Sequence, residues 1–123
     1  RLLVVNPWYK TTLKDIEKSI RAAGLGLNPS NDGQIIRVPI PPLTGERRQG
    51  LVRKVRALTE EARVRARQVR RDYNEIFKDL EADKEINEDD GRRLLKEVQE
   101  ATDKCIQTLE SIAKDKEQEV QEV

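Results

Sequence analysis

Four arginines with helical spacing are the residues of this sequence best suited to chemistry. On an α-helix, with 100° between successive residues, they fall within about 60° of one another. The planar guanidinium group can grip two phosphate oxygens at once, and no acidic residue lies between these arginines along the stripe. This pattern predicts a surface for a polyanion. The arginine stripe consists of Arg56, Arg63, Arg67 and Arg70.

The charge distribution offers a second explanation for the stripe. Residues 44–78 carry eleven basic and five acidic side chains, whereas residues 79–123 carry seven basic and fifteen acidic ones. Residues 1–43 carry six and three, so the overall charge of +1 hides a marked asymmetry. A basic helix packed against an acidic helix would use part of this charge for folding. A plain solvated face is the third possibility.

The composition argues against an enzyme and against a membrane protein. The chain has no histidine and one cysteine, so it offers no disulfide within the chain and no Cys/His metal site. Cys105 has the spacing of a core position, where we expect a buried thiol that packs as a small hydrophobe. No apolar run approaches the roughly 18 residues of a membrane span, which predicts a soluble protein.

Two long helices must position the arginines. Thr44 is the expected N-cap of a helix that runs to about Ala82, and a second helix should begin near Asn87 or Glu88. The short connection predicts an antiparallel hairpin with one seam left open, which a third helix would have to close. The first helix should bury Leu51, Val55, Leu58, Ala62, Ala66, Val69, Tyr73, Ile76 and Leu80, and the second Leu94, Val98, Ala101, Cys105, Leu109, Ile112, Lys116 and Val120.

The first 38 residues predict a small lobe of strand, helix and strand. Residues 2–5 are typical of a buried strand, and residues 34–38 alternate as a second strand. Between them, Thr12 and Asp15 suggest a capping box at the start of a short helix, and Gly24 suits a left-handed cap at its end. The prolines of residues 39–43 predict a semi-rigid linker. The first residue is Arg and the first strand has no preceding turn, so we expect an N-terminal part to precede it.

The order of these motifs resembles the bacterial and organellar ribosome recycling factor family. The resemblance rests on AGLGLNPSNDGQIIRVPIPPLTGERR, then EEARVRARQVRRD, then DKEINEDDGRR. It implies an α+β protein in which a long antiparallel helical hairpin, two helices of a three-helix bundle, is hinged to part of a small β/α/β domain. In that arrangement residues 1–38 are the later part of the small domain, residues 39–43 the hinge and residues 44–123 the second and third bundle helices.

The resemblance also implies a function, which is not enzymatic and needs no cofactor or metal of its own. Such a factor binds ribosomal RNA of the large ribosomal subunit and separates the subunits after termination together with elongation factor G, in the cytoplasm or in the chloroplast or mitochondrial matrix. DNA and membranes are not implied partners. The alternative, drawn from the residues alone, is a coiled-coil interaction or scaffold module without RNA binding.

The resemblance also assigns residues to RNA binding and to the hinge. The implied RNA contacts are Arg47, Arg48, Arg56, Arg63, Arg67, Arg70 and Arg71, and the implied hinge residues are Pro39, Pro41 and Pro42. The sequence departs from the family pattern at Ala22, Ala23, Gly45, Arg65 and Gln68. Arg65 and the bulky Tyr73 should test the packing of the bundle most severely.

Overall fold

The computed structural model describes residues 1–122, which form two compact units. The first unit is Arg1–Leu43 and the second begins at Thr44. The first contains strand β1 (Leu2–Val5), a single 3-10 turn (Lys10–Thr12), helix α1 (Leu13–Ala22), strand β2 (Ser30–Asn31) and strand β3 (Ile36–Pro39). The second contains helices α2 (Gly45–Ala82) and α3 (Glu88–Glu122). The α+β fold expected from the sequence is therefore present.

The core of the first unit lies between β3 and α1. The sheet has the order β1-β3-β2 with antiparallel pairing, so β3 is central. Ile36 and Val38 of β3 are almost completely buried with Leu13 of α1. The partly buried residues packed against this cluster are Val5, Ile16, Ile20, Leu27 and Ile40.

Two expectations for the first unit need correction, and a third is confirmed. The strand at residues 2–5 forms, but Leu2, Leu3 and Val4 are more than half exposed because β1 lies at the edge of the sheet. The capping box does not form, since the Thr12 hydroxyl donates to the Tyr9 carbonyl instead of capping α1. Gly24 does adopt the left-handed conformation expected of it, with φ of 67°.

The helix boundaries of the second unit follow from local capping. The Thr44 hydroxyl accepts a hydrogen bond from the Arg47 amide at 3.2 Å, as expected of an N-cap. The Asn87 side chain accepts one from the Asp90 amide at 2.8 Å and begins α3 in the same way. The helices are antiparallel, because Arg48 near the start of α2 contacts the last turn of α3. Both N-termini and the antiparallel arrangement agree with the prediction.

The α3 residues that face α2 differ in part from the expected seam. Gly91 and Thr102 are the buried residues of α3, whereas Cys105 is exposed. The expected seam members Ala101, Ile112 and Lys116 are exposed as well. Thr102 can be buried because its hydroxyl donates to the Val98 carbonyl at 2.8 Å. The prediction of a buried Cys105 thiol is therefore wrong.

Candidate polyanion-binding surface and its apolar groove

The arginine stripe of α2 lies along the contact with α3 rather than apart from it. Arg56 forms a two-pronged ion pair with Glu117 of α3, with Nε and Nη2 2.9 and 3.1 Å from the two carboxylate oxygens. Arg63 Nη1 lies 3.5 Å from a carboxylate oxygen of Glu110, one heptad away on α3. Its Nε lies 3.2 Å from Glu60 of α2, so the expectation of a stripe without acidic residues is wrong. The arginine stripe thus supplies part of the electrostatic attraction between α2 and α3. This agrees with the second explanation given above, in which a basic helix packs against an acidic one.

The hydrogen bonds between Arg56 and Glu117 influence the pKa of both groups. The hydrogen bond from Arg56 lowers the pKa of the Glu117 carboxyl below its ordinary value, and the same contact raises the pKa of Arg56. Each group thus stabilises the charged form of the other. Arg56 is consequently a less accessible ligand for phosphate than its position in the sequence suggests.

Two more residues of the stripe have weaker contacts within the protein. Arg67 Nη1 lies 3.7 Å from Glu60 on its own helix, and Arg70 donates to the Gln99 side-chain oxygen of α3 at 3.5 Å. Gln99 carries no charge, and a surface ion pair as long as 3.7 Å contributes little. The charges of Arg67 and Arg70 are therefore only slightly compensated.

The remaining predicted RNA contacts fall into different environments. Arg48 donates through Nη1 to the carbonyls of Val120 and Gln121, at 2.6 and 3.0 Å, and so caps the end of α3. Arg71 is exposed and has no partner among residues 1–122. Arg47 is also exposed, in the first turn of α2.

Of the predicted hinge residues, Pro39 is paired with Leu2 as the last residue of β3, while Pro41 and Pro42 lie between β3 and α2.

Sequence reasoning missed two cations of α2. Arg53 and Lys54 are exposed, and neither has a partner in the part of the chain that the structure describes. Arg53 lines a cavity of about 420 Å³ between the start of α2 and the end of α3. A helical projection could have found Arg53, because it lies 18 residues before Arg71 and therefore on the same side of the helix.

An apolar groove follows the α2/α3 contact. One stretch, of about 320 Å³, is lined by Val55, Leu58, Thr59, Ala62, Leu109, Ile112, Ala113 and Lys116. The next, of about 350 Å³, is lined by Ala66, Val69, Arg70, Tyr73, Val98, Ala101, Thr102 and Cys105. Large side chains such as Leu58 and Ile112 remain 56% and 61% exposed. This apolar groove is the open seam that the two-helix pattern predicted.

The departures from the family pattern fit the hairpin. Arg65 points to solvent and pairs with Glu61 at 2.6 Å, so it does not enter the helix contact. Gln68 donates to Asp72 at 2.7 Å on the outer face of α2. Tyr73 lines the apolar groove and packs against Phe77, with ring centroids 5.9 Å apart. None of these side chains interrupts α2.

Other kinds of site are not evident in residues 1–122. No group of three or more Cys, Asp or Glu side chains in this range is arranged to hold a metal ion. No helix within the same range is long and apolar enough to cross a bilayer. The candidate site in this range is therefore the cationic surface of α2.

These features define an α+β protein whose helical hairpin displays partly compensated arginines beside an open apolar groove. The family model described as "Ribosome recycling factor" matches residues 1–120. The chain belongs to the ribosome recycling factor family.

Known relatives match the chain throughout its length. It is 54% identical over 120 residues to the ribosome-recycling factor of Carboxydothermus hydrogenoformans, covering 98% of this chain and 65% of the relative. It is 50% identical over 123 residues to that of Myxococcus xanthus, covering 100% and 66%. The chain therefore spans just under two thirds of the length of these relatives.

Two solved structures are similar in fold. A solution structure of the ribosome recycling factor matches with a TM-score of 0.73 and 43% identity, over 99% of this chain and 64% of that one. Models of the T. thermophilus ribosome recycling factor and the E. coli elongation factor G bound to the E. coli post-termination complex match with a TM-score of 0.64 and 46% identity. That match covers 98% of this chain and 65% of the other.

Proposed function

We propose that this chain acts in ribosome recycling, as a non-enzymatic factor that binds the large ribosomal subunit and promotes subunit separation together with elongation factor G. The observation that carries the proposal is the family match, which extends through both units to residue 120. The similarity to a recycling factor that shares a post-termination complex with elongation factor G supports the choice of partners. Cytoplasmic action is part of the same proposal.

The cations of α2 with the least compensation are the proposed contacts with ribosomal RNA. Arg67, Arg70 and Arg71 retain most of their charge for an external phosphate, because their partners are distant, neutral or absent within residues 1–122. The charges of Arg56 and Arg63 are already offset in part by carboxylates of α3, so each gains less from a phosphate. We therefore place them, together with Arg47 and Arg48, second among the proposed contacts.

We also propose that the apolar groove is the surface that a third helix of the bundle covers. In the family arrangement that the sequence resembles, the hairpin supplies two helices of a three-helix bundle. The exposed Leu58, Val69 and Ile112 would then be covered by the remaining helix of such a bundle. This assignment, like that of Pro39, Pro41 and Pro42 to a hinge, is a proposal about domain organisation.

The experiment that tests the function is co-sedimentation with isolated large ribosomal subunits across a salt series. Replacing Arg67 and Arg70 together by Glu should weaken binding by at least about tenfold, because each phosphate contact is lost and replaced by repulsion. The wild-type affinity should fall steeply with salt concentration, and the slope should be smaller for the variant.

A matched charge reversal on the other helix serves as the control. Arg92 and Arg93 are exposed on α3 and pair only with Asp89 and Asp90 in their own first turn. Their double replacement by Glu changes the net charge equally and should leave most of the binding intact. Equal losses in both double variants would refute the assignment of the RNA-binding surface to α2, and absence of wild-type binding at low salt would refute the proposed function.

The competing function is an interaction module that pairs helices and does not bind RNA. The Arg56–Glu117 and Arg63–Glu110 contacts favour it, since they give two stripe residues a structural role. Binding through the apolar groove would depend little on salt. Salt-independent association in the experiment above would therefore select this alternative.

A further inference from the structure

The cavity between the start of α2 and the end of α3 is lined by three arginines. Arg48, Arg53 and Arg56 share it with a glycine, two glutamines and a valine, namely Gly45, Gln49, Gln121 and Val52. No carboxylate belongs to its lining. Its volume of about 420 Å³ exceeds what a phosphate group and several waters require.

The charge in this cavity is only partly compensated. Arg56 is neutralised by Glu117, but Arg48 donates to the uncharged carbonyls of Val120 and Gln121. The negative end of the α3 dipole, equivalent to about half a charge, offsets Arg48 in part. Arg53 has no partner within residues 1–122. The three arginines that line the cavity thus carry a net positive charge.

Contacts with α3 also hold two of these guanidinium groups in place. Arg48 uses Nη1 for both carbonyls, and Arg56 uses Nε and Nη2 for the carboxylate of Glu117. Arg48 therefore retains donors on Nε and Nη2, and Arg56 retains those on Nη1. Side chains fixed in this way lose less conformational entropy when they bind a ligand. Arg53 supplies a complete planar fork beside them.

We propose that this cavity binds a phosphate group of the RNA backbone, with Arg53 as the principal ligand and with Arg48 and Arg56 as oriented secondary donors. This inference rests on the proposed function, because it names the RNA as the source of the phosphate. It adds to the α2 surface a second contact point, near the start of the helix and 14 residues before Arg67. A free phosphate ion is the other source of the same chemistry.

The test compares three variants in the large-subunit binding assay. Arg53→Gln should weaken binding about five- to tenfold and reduce the slope of log affinity against log salt by about 0.7 to 0.9, the value for one phosphate contact. Lys54→Gln removes the same charge from the next residue, which does not line the cavity, and should change affinity less than about twofold. Arg53→Lys should keep the salt slope but lose part of the affinity, because lysine lacks the planar fork.

Each comparison can overturn the inference without overturning the proposed function. If wild-type chain binds subunits while Arg53→Gln and Lys54→Gln lose equally little or equally much, the cavity is not a specific phosphate site. Unchanged helicity by circular dichroism is expected for Arg53→Gln, since Arg53 makes no contact that α2 requires. A loss of helicity would assign Arg53 a structural role and refute the inference.

A nuclear magnetic resonance titration separates the two sources of phosphate. The Arg53 Nε–Hε signal should shift when a short RNA is added, and more weakly with inorganic phosphate at millimolar concentration. A shift with inorganic phosphate, together with wild-type subunit binding by Arg53→Gln, would identify a free-phosphate site and overturn the RNA assignment. No shift with either probe would overturn the site itself.

Discussion

At the scale of single residues, the arginines of α2 differ by what they already contact. Arg56 and Arg63 face carboxylates of α3, whereas Arg53 and Arg71 have no partner within residues 1–122. The charge of an arginine already paired with a carboxylate is largely offset, so its net contribution to phosphate binding is small. Arginine count alone is therefore a poor guide to affinity on this helix, and compensation of charge is a better one.

Two helical glycines provide a residue-scale prediction about packing. A Cβ added at Gly50 of α2 would meet nothing within 4 Å, whereas one at Gly91 of α3 would lie 2.6 Å from Oε2 of Glu81. Gly50→Ala should raise the free energy of unfolding by about 0.5 to 1 kcal/mol, the usual gain in helix propensity. Gly91→Ala should gain less, because the Glu81 carboxylate must be displaced. Denaturant unfolding followed by circular dichroism measures both, and equal gains would contradict the close approach at Gly91.

At the scale of elements, α2 and α3 are joined by ion pairs that depend on pH. The hydrogen bond from Arg56 holds the pKa of Glu117 below its unfolded value, so the contribution of this pair to stability is fully present above the ordinary pKa of a glutamate. The contribution is lost as the pH falls through the lowered pKa of the folded state. Glu117→Gln should therefore reduce stability at pH 7 and flatten the acid limb of the stability curve.

The control for this pH prediction is Glu97→Gln on the same helix. Glu97 is exposed and has no partner within residues 1–122, so its replacement should leave the acid limb unchanged. Thermal unfolding of the three proteins between about pH 2 and pH 7 provides the measurement. A wild-type and a Glu117→Gln curve of the same shape would mean that the Arg56–Glu117 pair contributes nothing to joining the helices.

The elements also show what a sequence can and cannot predict. The starts of α2 and α3 follow from Thr44 and Asn87, because a cap depends on residues three positions apart. The seam of α3 was partly misplaced, since its apolar arc is wider than one helix contact and includes exposed residues such as Cys105. Thr102 was overlooked because a hydroxyl bonded within its own helix can be buried without loss.

The candidate site, like the elements, could be predicted from the sequence only where it depends on residues close together in the chain. The spacing of the arginine stripe is local and was visible in the sequence. Its contacts with Glu110 and Glu117 depend on the register between two helices, which periodicity within either helix does not fix. The cavity at Arg53 likewise needs the end of α3 beside the start of α2, far away in the chain.

At the scale of the whole molecule, the short segment between β3 and α2 connects the two units. Pro41 and Pro42 restrict their own φ angles and those of the preceding residues, which makes the segment stiffer than an ordinary loop. A stiff linker would transmit a force applied to one unit to the other unit. Binding of RNA by α2 alone would not require a stiff linker. On the proposed function, we expect the linker to affect subunit separation more than attachment to the ribosome.

Replacing Pro41 and Pro42 together by Gly tests this role of the linker. Subunit separation with elongation factor G, followed by light scattering, should slow several-fold, while co-sedimentation with large subunits should change less than about twofold, because the arginines of α2 are untouched. Asn28→Gly with Gln34→Gly, which adds two glycines to exposed loops of the first unit, is the matched control and should separate subunits at nearly the wild-type rate. Equal losses of separation and binding in the proline variant would show that the linker stabilises the bound form and does not transmit force.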